Sequence, residues 1–171
     1  MKTKYVYLGR FAPFHNGHNL LLSEMVNRYG PDKILVLIGS TNTINWRTPY
    51  TYEDRKQIIR ISFPTVEILP LPDGKPNLEY FDGTTNEAWL DSIEAIAKAR
   101  KERYVFCGGD KADLEVLAQR FETKVEISRE VLVVSATQIR ELLVKKDYER
   151  LSKFVDPKAT EIIIKKFKSF I

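Results

Sequence analysis

The stretch GRFAPFHNGH, Gly9 to His18, holds both histidines of a 171-residue chain, three residues apart. It joins an apolar run at Tyr5 to Leu8, which reads as a strand, to a segment from Asn19 to Arg28. There Leu20, Leu21, Met25 and Val26 recur at helical spacing. Gly9 and Gly17 bracket the connection and permit close backbone approach, and Pro13 stiffens its middle. A helix beginning near His18 offers N–H groups and the positive end of its dipole to a phosphate. Neither GxGxxG nor GxxxxGK[ST] occurs here, so other donors must hold the charge. The two imidazoles and the forked guanidinium of Arg10 can converge on one anion. The plainer alternative is a pair of histidines that closes a turn. HxxH supplies only two ligands, with no nearby cysteine and no HExxH glutamate, which is too little for protein-bound zinc.

Working outward, short and nearly continuous apolar runs recur at Ile34 to Ile38, Val66 to Leu71, Tyr104 to Cys107 and Val131 to Val134. Continuous rather than alternating hydrophobicity suits strands covered by helices on both faces. Helical spacing fills the intervals at Tyr52 to Ile61, Ala88 to Ala99, Ala112 to Phe121 and Ala136 to Val144, and again at Lys158 to Phe170. The alternation predicts an α/β fold: a doubly wound, mostly parallel five-stranded sheet with helices on both faces and right-handed crossovers. Ligands of such sheets bind outside the carboxyl ends of the strands. We expect one domain over residues 1–171, with a C-terminal helical portion from about residue 147. The irregular segment PLPDGKPNLEYFDG, Pro70 to Gly83, reads as a substrate loop, with Asp73 near substrate.

Composition narrows the partners. The net charge of +4 comes from 27 basic and 23 acidic residues that alternate along the chain, so the positive excess suits a small phosphorylated ligand better than nucleic acid. Only the C-terminal KKFKSF is locally basic. One cysteine, Cys107, allows no intramolecular disulfide and suits a reducing compartment. The N-terminus lacks the apolar core of a secretory signal, and no apolar run is long enough to span a bilayer. Cytoplasm is the simplest assignment.

GRFAPFHNGH resembles the GRFxPFHxGH form of the HxGH signature of the nucleotidylyltransferase superfamily, and within it the archaeal-type nicotinamide-nucleotide adenylyltransferases. Four further stretches are similar: IGSTNTINWRTPYTYEDR (Ile38 to Arg55), DGTTNEAWLDSI (Asp82 to Ile93), YVFCGGD (Tyr104 to Asp110) and VSATQIR (Val134 to Arg140). The resemblance implies a Rossmann-like nucleotidylyltransferase fold and a catalytic set of His15, His18, Arg10, Arg47 and Arg140. It implies ATP contacts at Gly9, Phe11, Gly17, Gly108, Asp110, Ser135 and Thr137. Nicotinamide mononucleotide would be held at Ser40, Asn86 and Trp89. Read without the family, Ser135 with Gln138 and Thr51 with Asp54 are capping arrangements, Asn86 caps a helix with Trp89 in the core, and Arg55 stays ambiguous. One departure is Ala12, which stands where the archaeal-type motif commonly has glutamine.

The implied reaction joins ATP and nicotinamide mononucleotide into NAD and pyrophosphate by direct attack on the α-phosphorus. Mg²⁺ would arrive on the ATP phosphates, and no dedicated protein metal site is expected. The resemblance also implies a homo-oligomer. Two alternatives stay open: transfer to another phosphorylated acceptor such as phosphopantetheine, FMN or a phospho-alcohol, and a non-catalytic NAD or ATP sensor on the same fold.

Overall fold

The computed structural model describes residues 1–73, 83–124 and 134–171. Five parallel strands form one sheet: β1 (Lys2–Gly9), β2 (Ile34–Gly39), β3 (Glu67–Leu71), β4 (Glu102–Gly108) and β5 (Glu122–Thr123), in the order β3-β2-β1-β4-β5. Helices α1 (Asn16–Tyr29), α2 (Tyr52–Ser62), α3 (Gly83–Arg100) and α4 (Lys111–Leu117) make the crossovers. Then come α5 (Ala136–Lys145), α6 (Tyr148–Leu151) and α7 (Thr160–Phe170).

The continuous apolar strands are explained by two cores, because successive side chains of a strand point to opposite faces. Tyr7, Val36, Ile38, Val105 and Cys107 face Leu22 and Met25 of α1, Ile58 and Ile59 of α2, Ile139 of α5 and Ile163 of α7. Val6, Leu8, Leu35, Leu37, Tyr104 and Phe106 face the other way, toward Leu90 and Ile93 of α3 and Leu117 of α4. At their apolar centres, both faces of these strands are covered by helices.

Of the expected strand at Val131 to Val134, Val131 to Val133 lie outside the described residues and Val134 belongs to no strand. A strand that the apolar pattern does not predict, Glu122–Thr123, pairs with Val105 and Phe106. Two polar residues on a sheet edge carry no apolar run for a hydrophobicity pattern to find.

The strand order fixes where function can sit. From β1 the chain moves outward to β2 and β3, then returns to the other side of β1 as β4, so direction reverses between β1 and β4. The loops leaving these two strands part at their carboxyl ends and open the crevice in which such sheets take ligands. The pairing register of β1 and β4 also shifts here, between Val6 and Tyr7.

The C-terminal portion is latched to this frame. Asn16 donates to the carbonyls of Phe154 and Lys153 from its main chain and side chain, at 2.8 and 3.0 Å. Asp156 accepts from Ser62 Oγ at 2.7 Å and from the Lys158 N–H at 2.9 Å, tying α2 to the turn before α7. The Ser62 bond, followed by the Lys158 amide, holds the Asp156 carboxyl below its ordinary range. A lowered folded-state pKa adds stability that is complete above the unfolded value and is lost as pH falls through the folded one. Asp156→Asn keeps a capping oxygen but removes the charge that strengthens both bonds, and should lower stability at neutral pH by about 1 kcal/mol. The gap to wild type should close on acidification below about pH 3.9. Thermal melts across pH measure this, and a gap constant down to strong acid contradicts it.

Candidate active site

The HxGH turn is built differently from its sequence reading. Helix α1 begins at Asn16 rather than near His18, with His15 as its N-cap. Nδ1 of His15 accepts the Gly17 N–H at 3.0 Å, while Nδ1 of His18 accepts the His15 N–H at 3.1 Å. The imidazoles thus form the reciprocal capping box usually made by Ser or Thr with Glu. Their rings stack with centroids 3.7 Å apart. With both Nδ1 atoms accepting, the proton of each neutral ring sits on Nε2.

The same geometry revises the role of the helix start. The Asn16 N–H is taken by Phe154 and the Gly17 N–H by His15, so two leading amides of α1 are already bonded. An anion here gains from the dipole and the imidazoles more than from those amides.

The glycines are also required by packing. A Cβ at Gly9 would lie 2.9 Å from the Phe11 ring, one at Gly17 2.9 Å from the His15 ring, and one at Gly108 2.3 Å from Leu21. The first two let side chains of the turn fold back over it, and Gly108 lets α1 press against the sheet. Phe11 itself is buried against Tyr7, Phe14 and His18.

Arginines surround this turn. Arg140 on α5 donates to the Ala12 carbonyl at 3.1 Å and to Thr137 Oγ1 at 3.3 Å, fastening α5 to the HxGH loop. Ala12 keeps its methyl group buried there. Ser135 caps α5 in the expected box with Gln138, each bond 3.2 Å. Arg47 lies exposed on the loop after β2, in a turn held by Asn45 Oδ1, which accepts from the amides of Arg47 and Thr48 at 3.0 Å. Below it Thr48 and Tyr50 are buried, and the Tyr50 hydroxyl donates to the Ile163 carbonyl of α7 at 2.9 Å. Trp46 leans on Phe170 with ring centroids 5.1 Å apart.

These cations feel one another. Burial first, then Arg47 and Arg10, hold the Arg140 guanidinium below its ordinary pKa. Among the described residues no carboxylate forms an ion pair with Arg10, Arg47 or Arg140. Nor does any group of three or more His, Cys, Asp or Glu gather there as a metal cradle. Three like charges are thus held close together at this edge.

The remaining residues frame the same edge. Crossover helices run against the parallel strands, so α3 and α4 start at the carboxyl end of the sheet. Asn86 and Trp89 lie half-buried early in α3, three residues apart, with Trp89 packed on the second core. Asp110 is the exposed N-cap position of α4, and its side chain makes no capping bond. Ser40 follows β2 with φ at +52°, and its carbonyl is bonded from within. Asp73 exchanges bonds with Asn42, main chain to amide in both directions at 2.8 Å, and its Oδ2 accepts from Thr43 at 3.1 Å.

Arg55 is the residue the sequence left ambiguous. It is fully buried, and its guanidinium donates to main-chain carbonyls of the loops after β1 and β2. A signal was present: Arg55 shares the buried stripe of α2 with Ile58 and Ile59, where an apolar residue is the norm.

A doubly wound parallel sheet whose polar residues gather at the reversal of strand direction is the Rossmann-like α/β class. A family model described as cytidylyltransferase-like matches residues 6–165, and the chain belongs to that family. It is 34% identical over 79 residues to nicotinamide-nucleotide adenylyltransferase of Saccharolobus solfataricus, covering 42% of this chain and 45% of that one. The protein of the same name from Methanococcus aeolicus is 30% identical over 95 residues, covering 52% and 48%. The chain spans about half the length of these curated relatives. In fold it is similar to a Francisella tularensis bifunctional NMN adenylyltransferase/ADP ribose pyrophosphatase, solved with AMP and a manganese ion. The TM-score is 0.67 at 22% identity, over 99% of this chain and 52% of that one.

A polyanion should relieve the repulsion among the arginines. Inorganic triphosphate at a hundredfold excess over its Kd should therefore stabilise the protein by about 2.7 kcal/mol. Arg47→Ala, which removes an exposed side chain from a turn held by Asn45, should shrink that thermal shift by half or more. An equal shift in variant and wild type, read by calorimetry, contradicts the shared site.

Proposed function

We propose that this chain is a nicotinamide-nucleotide adenylyltransferase that joins MgATP and nicotinamide mononucleotide to give NAD and pyrophosphate. The observation that carries the reading is the pair of capping imidazoles, each with an Nε2 proton, beside arginines that form no ion pair with a carboxylate among the described residues. The names borne by the archaeal relatives support the same substrates.

In this reading an oxygen of the mononucleotide 5′-phosphate attacks the α-phosphorus, and the bond from that phosphorus to the oxygen bridging to the β-phosphorus breaks. Pyrophosphate leaves with the bonding electrons. The nucleophile is already anionic, so no base is needed, and catalysis reduces to alignment and charge stabilisation. His15 and His18 donate from Nε2 to phosphate oxygens, and Arg10, Arg47 and Arg140 share the growing charge on the leaving group. Ser135 and Thr137 offer hydroxyls at the start of α5, while Gly9, Phe11, Gly17, Gly108 and Asp110 line the adenosine side. Ser40, Asn86 and Trp89 hold the mononucleotide, with the amide of Asn86 toward the carboxamide and Trp89 against the ring. Magnesium enters on the triphosphate, because it commonly binds through substrate phosphates and keeps several waters. We place the enzyme in the cytoplasm as a homo-oligomer; within the described residues, no helix is long and apolar enough to cross a membrane.

His18→Ala should lower kcat by about 10² or more, the scale of losing one transition-state donor. Near-normal turnover in a folded variant contradicts the role. Trp89→Ala should raise KM for the mononucleotide more than for ATP, and equal changes in both argue against ring stacking. Pyrophosphate release over a panel of acceptors decides the reaction: nicotinamide and nicotinate mononucleotides, phosphopantetheine, FMN and a phospho-alcohol, each with ATP and CTP. The expected pair is ATP with nicotinamide mononucleotide. Preference for another acceptor overturns the assignment, and binding of ATP without turnover points to a sensor.

A further inference from the structure

Arg55 lies outside the proposed substrate contacts, yet it touches both halves of the site from behind. Its side chain is fully buried in α2. Nη1 donates to the Arg10 carbonyl at 3.1 Å and the Gly39 carbonyl at 2.8 Å, Nη2 to the Ser40 carbonyl at 3.1 Å, and Nε to the Thr51 carbonyl at 3.3 Å. Each of these bonds goes to main chain, and among the described residues none goes to a carboxylate. An arginine buried for stability alone is ordinarily matched by an acid in contact, because a buried charge without a partner is expensive.

The bonded carbonyls lie at strained places. Arg10 precedes Phe11, at φ +51°, and Ser40 is itself at φ +52°. Residues other than glycine persist there only when their surroundings fix them, and such positions cluster at functional sites. One leads into the HxGH turn, the other into the loop toward Arg47. The guanidinium spreads its bonds over Nε, Nη1 and Nη2 in one rigid plane and so holds four carbonyls in fixed relation, whereas lysine offers three donors from one nitrogen on a flexible stem.

Resting on the adenylyltransferase reading above, we infer that Arg55 is a positioning residue: one buried guanidinium sets the spacing between the phosphate-binding turn after β1 and the mononucleotide loop after β2. The clamp explains why a charge is kept in an apolar stripe. Burial, reinforced by Arg10, lowers its pKa to about 10, so it stays protonated at neutral pH. It acts on alignment of the reactants more than on the binding of either alone.

The test combines hydrogen exchange with kinetics on Arg55→Lys, which keeps the charge and loses the fork, and Arg55→Met, which keeps the bulk and loses the charge. In folded variants, amide exchange in residues 9–18 and 39–45 should rise together by about tenfold or more, with β4 unchanged. The kcat should fall by about 10², the cost of a small misalignment, with both KM values changing by less than about fivefold. Unchanged exchange in both loops, or an increase spread evenly over the chain, overturns the clamp and leaves only a structural role. Exchange is read without substrate, so it still decides the clamp if the wild-type protein makes no NAD, a result that would sink the functional reading instead. Should neither variant fold, NMR of the unaltered protein decides. Slowly exchanging, resolved Nη protons on Arg55 support the clamp, and a single averaged signal like that of a surface arginine overturns it.

Discussion

Arg10, Arg47 and Arg140 repel one another, and the fold holds them at one edge of the sheet in spite of it. Each is held by a different device. Arg10 extends directly from β1, Arg140 is hooked to the Ala12 carbonyl, and Arg47 rides on a turn propped from below by Tyr50 and α7. The repulsion is tolerated because the elements carrying these residues are fixed by two apolar cores, whose burial far outweighs a few partly solvated charge contacts.

The opposite edge shows the contrast. At the amino ends of the strands, Arg100 pairs with Glu102 and Glu67, Lys4 reaches Glu67 at 3.9 Å, and Arg103 meets Glu122 at 3.1 Å. Tyr104 completes that network by donating to the buried Glu102 carboxylate. Lys4, Arg100 and Arg103 are matched there within the chain, whereas Arg10, Arg47 and Arg140 at the carboxyl edge form no ion pair among the described residues. Net charge alone, dispersed over 171 residues, hides this polarity. It emerges only when the strand direction sorts the residues into two ends.

The parts of the fold legible in the sequence were those with many residues contributing to one pattern. β1 to β4 and the larger helices announce themselves through continuous or helical apolar spacing. The edge strand Glu122–Thr123 does not, because its two residues are polar and its place is set by pairing with β4. The start of α1 was displaced by two or three residues because histidine is an unusual N-cap, and its capping bond depends on which nitrogen faces the amide. The candidate site was legible in the sequence as a set of residue types on loops at the carboxyl ends of the strands. What could not be read was which of them also serve packing: Gly9, Gly17 and Gly108 make room for Phe11, His15 and Leu21. Arg55 was hidden for a related reason, since its partners are carbonyls distant in sequence and a carbonyl has no residue signature.

The HxGH turn joins folding to chemistry through one pair of atoms on each ring. Each imidazole uses Nδ1 to satisfy a backbone amide, and that bond assigns the proton to Nε2. A serine or aspartate cap would satisfy the same amide but would present no N–H donor beyond it, and an unbonded imidazole would be free to exchange tautomers or turn away. Capping therefore orients the donor and fixes its protonation before any ligand arrives. With Arg140 binding the Ala12 carbonyl of the same loop, these groups are set by bonds within the protein, so that in the proposed reaction a phosphate would meet donors already oriented.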